Sequence, residues 1–364
     1  MLPARRDLTA LRLSAQHIDA GPGTEPAGLR TPADVARWML ALQSQDLPGA
    51  RWAIGLRLPD ATEADVERAL ASGEIVRSWP LRGTLHIVAP EDLGWMLDIA
   101  AVRQATWAAK RRRDLEITGE QLAGAGAIAA ELMGGGTAVR RDALLSEWGA
   151  RGIPTTGQRG YHLLWNLAHE KLIVFGPPDA KQPTFALFEE WVTEHRRLSG
   201  DEALAEFASR YFRSHGPATE RDFAWWAGIT LGDARKGIAA AVGLERREFG
   251  GVAHYLAEGL EPAASGVHAL PGFDEYMLGY QDRSPALAPE FAPRIVPGSN
   301  GMFLPTVVVD GEVVGTWKRT EGAKKVTVDL SEFTGMTKKG HAGFERALRR
   351  YGRFIGKPAE LREP

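Results

Sequence analysis

Ile75-Val76-Arg77-Ser78-Trp79-Pro80-Leu81-Arg82-Gly83-Thr84-Leu85-His86-Ile87-Val88 carries the first fold signal in the chain. β-Branched and aromatic residues flank Arg82-Gly83, and such a run around a glycine-containing pair reads as a hairpin. What precedes it is helical. Thr31 can cap a helix, Pro32 suits its first position, and Ala33-Asp34 follow. Val35, Trp38, Met39 and Leu42 recur at helical spacing, which predicts a helix running out near Gln45, before Pro48-Gly49. A second short helix fits Glu63–Ser72. Helices followed by a hairpin are the pattern of a winged helix.

The pattern returns twice. Helices are predicted over Gly119–Met133, 138–149 and 157–169, with Leu144, Leu145 and Trp148 inward. Strands at 172–175 and 184–188 then enclose Gly176-Pro177-Pro178. The third copy has helices over 202–212, 220–226 (capped by Thr219) and 231–242. A strand-like stretch, 244–256, follows and turns at Gly250-Gly251. The spacing is roughly 70–80 residues, in the range of structural repeats of this size.

The last hundred residues differ. Thr306-Val307-Val308-Val309-Asp310-Gly311-Glu312-Val313-Val314-Gly315-Thr316-Trp317 places alternating β-formers around an Asp-Gly turn, the strongest short hairpin signal. Residues 325–328 add a strand, and residues 343–354 form a basic amphipathic helix. The expected fold is mainly α with β. Three tandem winged-helix domains cover 1–116, 117–198 and 199–264, and a small β-rich domain with a terminal helix covers 265–364.

Composition narrows the chemistry. The 364 residues suit two to four domains, and 44% apolar with 25% charged residues is ordinary for a globular chain. Cysteine is absent, which excludes disulfides, thiolate zinc sites, iron–sulfur clusters and cysteine nucleophiles. No apolar run reaches the length of a membrane span and the first residues have no signal-peptide core, so a cytoplasmic protein is expected. Net charge is −2, so any basic field is local. Lys110, Arg111, Arg112 and Arg113 form one run. Residues 338–357 hold seven Lys/Arg and one acid, Glu345. Such patches can hold phosphates or can be solvated helix faces.

The usual catalytic signatures are missing: there is no Gly-x-Ser-x-Gly, phosphate-binding loop or His-Glu-x-x-His. His162 and His169 share a helix face without a nearby third ligand, which favours packing over metal binding. Leu42-Gln43-Ser44-Gln45-Asp46 is unusual. Two glutamines beside a carboxylate are not needed for folding. In a regular helix, positions i and i+2 point about 200° apart. The expected helix end before Pro48-Gly49 would let both amides turn to one solvent-filled cleft. A glutamine amide can orient a water as donor and acceptor. Taken alone, the same residues read as a surface helix end.

Leu42-Gln43-Ser44-Gln45-Asp46-Leu47-Pro48 resembles the Gln-x-Gln motif of the AlkZ-type DNA glycosylases, the winged-helix alkylpurine glycosylases that include YcaQ. Val76-Arg77-Ser78-Trp79-Pro80-Leu81-Arg82-Gly83-Thr84-Leu85-His86 resembles a second family signature. Pro183-Thr184-Phe185, Phe273-Asp274-Glu275-Tyr276-x-x-Gly279-Tyr280-x-Asp282-Arg283 and Asn300-Gly301-x-Phe303-x-Pro305-Thr306 follow in the family's order. Together these motifs lie between residues 42 and 317.

The resemblance implies three winged helices wrapped into a concave body, a double-stranded DNA partner and no cofactor or metal. It implies excision of N7- or N3-alkylated purines, interstrand crosslinks among them, by a water that Gln43 and Gln45 position. The YcaQ branch has aspartate at the second glutamine, so Gln45 puts this chain on the AlkZ side. Asp46 is one place too late to replace that aspartate; it either tunes the site or has a structural role, capping the helix or pairing with Arg51. The expected wing at residues 176–182 brings Lys181 to phosphate, or is a solvent-facing turn. Arg82 and His86 either face the cleft or are buried and hydrogen-bonded, with Trp79 in the core. Gln16 and His17 are expected in the first helix, near Gln43. Asp274, Glu275 and Arg283 could form a carboxylate site but read rather as an ion-pair network of the β-rich domain. Arg82, Lys110, Arg111, Arg112, Arg113 and Lys181 are the candidate DNA contacts of an expected monomer. The competing reading is a winged-helix DNA-binding protein without catalysis; a protein-only scaffold is the third.

Overall fold

The computed structural model describes residues 3–18, 28–179 and 182–362. The chain divides into two compact units. One is continuous, Arg68–Gly200. The other is split, built from Met1–Glu67 with Asp201–Pro364.

In the continuous unit, Val76–Leu81 and Thr84–Val88 pair antiparallel with Leu81 opposite Thr84. Arg82 and Gly83 are left as a two-residue turn with φ of 51° and 69°, the left-handed pair that tight hairpins require. The 25-residue helix Pro90–Asp114 follows. No expected element covers this stretch, although Pro90 marks its first turn. Gly119–Met133 opens on a capping box between Thr118 and Gln121. The next expected helix begins later, at Arg141, because Val139–Arg140 is taken as a strand against Thr184–Leu187. With Ile173–Phe175 these make a three-stranded sheet beside the helices Arg141–Ala150 and Arg159–His169. Trp79, Ala125, Met133, Leu144, Trp148, Leu163 and Phe185 share one core. The Trp148 indole is satisfied there by the Ala125 carbonyl at 3.0 Å.

The split unit starts with Pro3–Ala15, Pro32–Met39 and Leu47–Arg57. Thr31 caps Pro32–Met39 in a reciprocal box with Asp34. That helix stops six residues before the expected Gln45. Leu40 turns to φ 65°, and Trp38 Nε1 donates to the Ala15 carbonyl at 2.7 Å. Pro48 then sits in the first turn of Leu47–Arg57, where its missing N–H costs nothing. It begins a helix instead of ending one. Gly200–His215, Glu220–Ala227 and Leu231–Ala240 lead to the hairpin Leu244–Phe249 and Val252–Ala257, turning at Gly250-Gly251.

The remaining sheet has five strands in the order Ala359–Leu361, Val326–Glu332, Glu312–Glu321, Thr306–Val309 and Val267–Leu270. All its pairs are antiparallel except the first. Asp310-Gly311 makes the predicted turn at φ 50° and 83°. Lys338–Phe354 begins five residues earlier than expected, at a Thr337 cap. It buries Phe344, Leu348, Tyr351 and Phe354. Trp52 receives the Tyr351 and Phe354 rings at 5.1 and 5.2 Å. Among the described residues, no helix is long and apolar enough to cross a membrane.

Candidate functional site

Gln43, Ser44, Gln45 and Asp46 link Pro32–Met39 to Leu47–Arg57 within the split unit. Leu42–Gln43 is a short extended segment, and Gln45-Asp46 bends into the next helix. Gln43 ends the extended segment and Gln45 lies in the bend, so neither amide stands inside a helix. Their settings differ: Gln43 is 9% exposed and Ser44 fully buried, while Gln45 is exposed.

A buried carboxylate holds this link. Gln43 N donates to Glu275 Oε1 at 3.1 Å, and Trp226 Nε1 donates to Oε2 at 2.8 Å. His215 Nε2 stands 3.5 Å from the same oxygen. Glu275 is buried, so each of these donors offsets part of its desolvation. Burial lowers the His215 pKa, and Glu275 opposes that shift.

Asp274, next to it, accepts both Arg57 guanidinium nitrogens, at 3.0 and 3.1 Å. Arg57 also donates to Gln16 Oε1 at 2.9 Å. Gln16 Nε2 donates to Tyr280 Oη at 3.0 Å, and that hydroxyl donates to the His215 carbonyl at 2.7 Å. Asp274 and Glu275 thus join a network, but not the expected one. Arg283 lies outside it: Nε donates to the Met277 carbonyl at 2.7 Å, and its guanidinium stacks near Trp225 and Phe303. The partners come from the first 57 residues and from 215–226, not from the β-rich region alone. Two acids in the buried stretch 271–280 were the available signal, since buried acids need partners.

Asp46 occupies the cap position of Leu47–Arg57 without a side-chain capping bond. It faces Arg319 instead, Oδ2 to Nη2 at 3.6 Å. Arg51 pairs with Glu63 and Glu67, so neither expected structural role of Asp46 holds. Gly49 makes room for the carboxylate: a Cβ there would stand 2.6 Å from Asp46 Oδ2.

Gln16 and His17 follow the helix Pro3–Ala15 instead of lying in it, with His17 at φ 53°. His17 packs edge-on to Trp38 at 4.6 Å, and burial, with the Arg57 charge, lowers its pKa to about 4. Gln16, not His17, joins the network that supports Gln43.

The remaining candidates lie in the continuous unit. Arg82 is half-buried in its tight turn. His86 is fully buried, with Nδ1 at 2.9 Å from the Thr84 carbonyl. Lys110 pairs with Asp114 at 2.7 Å, Arg111 donates to His162 at 3.2 Å and to Gln158, and Arg112 donates to Asn166 at 2.7 Å. Arg113 is exposed. Much of that run's hydrogen-bonding capacity is used internally. Lys181 lies outside the described residues. His169 stacks on Trp165 at 3.7 Å, and burial lowers its pKa to about 4. Among the described residues, no group of three or more His, Asp or Glu is placed to hold a metal ion.

Residues 36–354 match the family described as DNA glycosylase AlkZ-like, and the chain belongs to that family. It is 25% identical over 342 residues to the interstrand DNA cross-link repair glycosylase of Streptomyces sahachiroi, covering 88% of this chain and 90% of that protein. The solved structure of the Streptomyces sahachiroi DNA glycosylase AlkZ superposes with a TM-score of 0.81 over 100% of both chains, at 23% identity. That likeness gives the fold: mainly α with some β.

Proposed function

We propose that the protein is a monofunctional DNA glycosylase that hydrolyses the N-glycosidic bond of N7- or N3-alkylated purines in duplex DNA. The observation that carries this reading is the anchoring of Gln43 by buried Glu275, which fixes the start of the Gln-x-Gln link. Preorganised polar groups lower a barrier because they need not reorganise as charge develops. An alkylated purine is already cationic. When its bond to C1′ breaks, the electron pair neutralises the departing base, and positive charge remains on the sugar. Water held by the Gln43 and Gln45 amides then forms the C1′–O bond and releases a proton to solvent, leaving an abasic site. Neutral amides suffice because the leaving group needs no acid and the oxocarbenium-like sugar needs no strong base. Asp46 places a carboxylate beside this link that favours the cationic sugar, tempered by Arg319 at 3.6 Å.

The crosslink named in the relative's description extends the proposal: the same bond cleavage, made on one strand of an interstrand crosslink, unhooks it. We read the helix and hairpin sets as three winged helices with borders at 116, 198 and 264. The enzyme would act as a cytoplasmic monomer without a cofactor. Single-turnover excision of an N7-alkylguanine by Gln43→Ala and Gln45→Ala is the test. Each loss is expected to slow excision on the order of 10²-fold, a few kcal/mol, with DNA affinity nearly unchanged. Excision that survives both substitutions would place the chemistry elsewhere. Wild-type binding without excision of any alkylpurine would favour the non-catalytic DNA-binding reading.

A further inference from the structure

The terminal helix Lys338–Phe354 has two faces with different partners. Its inner face is locked. Gly343 approaches Val267 so closely that a Cβ would stand 2.4 Å from it, and a Cβ at Gly55 would stand 2.3 Å from Phe354. Arg350 is turned to the body of the unit and donates to the Leu56 carbonyl. Burial, with the Arg353 charge, lowers the Arg350 pKa to about 10.

The outer face is cationic. Lys338, Lys339, Arg346, Arg349 and Arg353 are exposed, and Lys357 continues the series beyond the helix. Glu345, the one acid of this stretch, reaches only Arg349, at 3.9 Å. Lys338, Lys339, Arg346, Arg353 and Lys357 form no ion pair with any described residue. Lys110, Arg111 and Arg112, by contrast, are engaged inside their own unit. A groove of about 790 Å³ beside the last turn is lined by Arg349, Arg353 and Lys357 together with two acids, Glu345 and Glu360, the second of which pairs with Lys325.

We infer that this outer face grips the phosphate backbone of duplex DNA and so holds the Gln43–Gln45 link in register with its substrate. The inference rests on DNA being the substrate, as the family assignment states. Charge and rigidity argue for it. An exposed cationic stripe on a mobile segment would lose ordering entropy on binding, whereas this one is docked through Trp52 on Leu47–Arg57, the helix that continues from Asp46. Arg346 to Arg353 spans about 10 Å at a rise of 1.5 Å per residue. That reach exceeds the roughly 3.4 Å axial rise per nucleotide of one strand, so the three guanidiniums can meet different phosphates.

The test uses the full-length protein and an undamaged duplex, so its result does not depend on the excision chemistry. The variant Arg346→Glu/Arg349→Glu/Arg353→Glu is expected to weaken binding at least about tenfold at low salt. The slope of log affinity against log salt is expected to fall by about three. Glu345→Gln acts in the opposite sense and is expected to tighten binding about twofold, by removing the acid that repels phosphate. A folded triple variant with wild-type affinity and slope overturns the inference. If the triple variant does not fold, an unchanged affinity in Glu345→Gln overturns it.

Discussion

Glu275 accepts from Gln43 N and Trp226 Nε1 and lies beside His215, so one carboxylate ties together three distant parts of the sequence. Replacing it with glutamine keeps the volume but turns an acceptor into a donor that faces other donors. Unsatisfied buried polar groups and broken charge contacts are costly. Glu275→Gln is therefore expected to destabilise the protein by about 2–4 kcal/mol, read by urea unfolding. It should also slow excision at temperatures where the variant remains folded. Wild-type excision in the folded variant would show that the Gln43 backbone needs no such anchor. Sequence reasoning reached Gln43, Gln45 and Asp46 because adjacent polar residues without a folding role stand out. It did not reach the Gln43–Glu275 or Asp46–Arg319 contacts. Their partners are hundreds of residues apart, and no local pattern records a tertiary hydrogen bond.

Elements were legible where local chemistry decides them. Arg82-Gly83, Gly250-Gly251 and Asp310-Gly311 all turn as read, because two successive positive φ values select such pairs. Pro48-Gly49 was misread because proline marks helix starts as well as ends. The choice between them was made by Leu40 and by the Trp38–Ala15 bond. The Arg82 turn permits a clean separation of charge from fold. Asparagine suits a positive φ better than arginine does. Arg82→Asn is expected to leave the thermal midpoint unchanged or slightly raised, while duplex affinity falls a few-fold and the salt slope drops by about one. Unchanged affinity in this variant would assign Arg82 to the turn alone.

Across the whole molecule, His17, His169 and His268 are each held to a pKa of about 4, chiefly by burial. Their unfolded value is near 6.5. Between about pH 6.5 and 4 the unfolded chain binds protons that the folded chain refuses, so stability rises with pH in that window and is lost as the pH falls through it. The thermal midpoint is expected to drop between pH 7 and 4.5, less steeply in His17→Gln/His268→Gln. A double variant with the wild-type slope would contradict this account. Residues 1–67 also complete their unit only with residues 201–364. During synthesis at about 5–20 residues per second, the first helices emerge and then wait on the order of ten seconds for their partners. Residues 68–200 are one continuous stretch of chain and can begin to fold in the meantime. Leu8, Leu11 and Leu13, buried once the unit is complete, lack that full cover during the interval, the condition under which chaperones act on nascent chains.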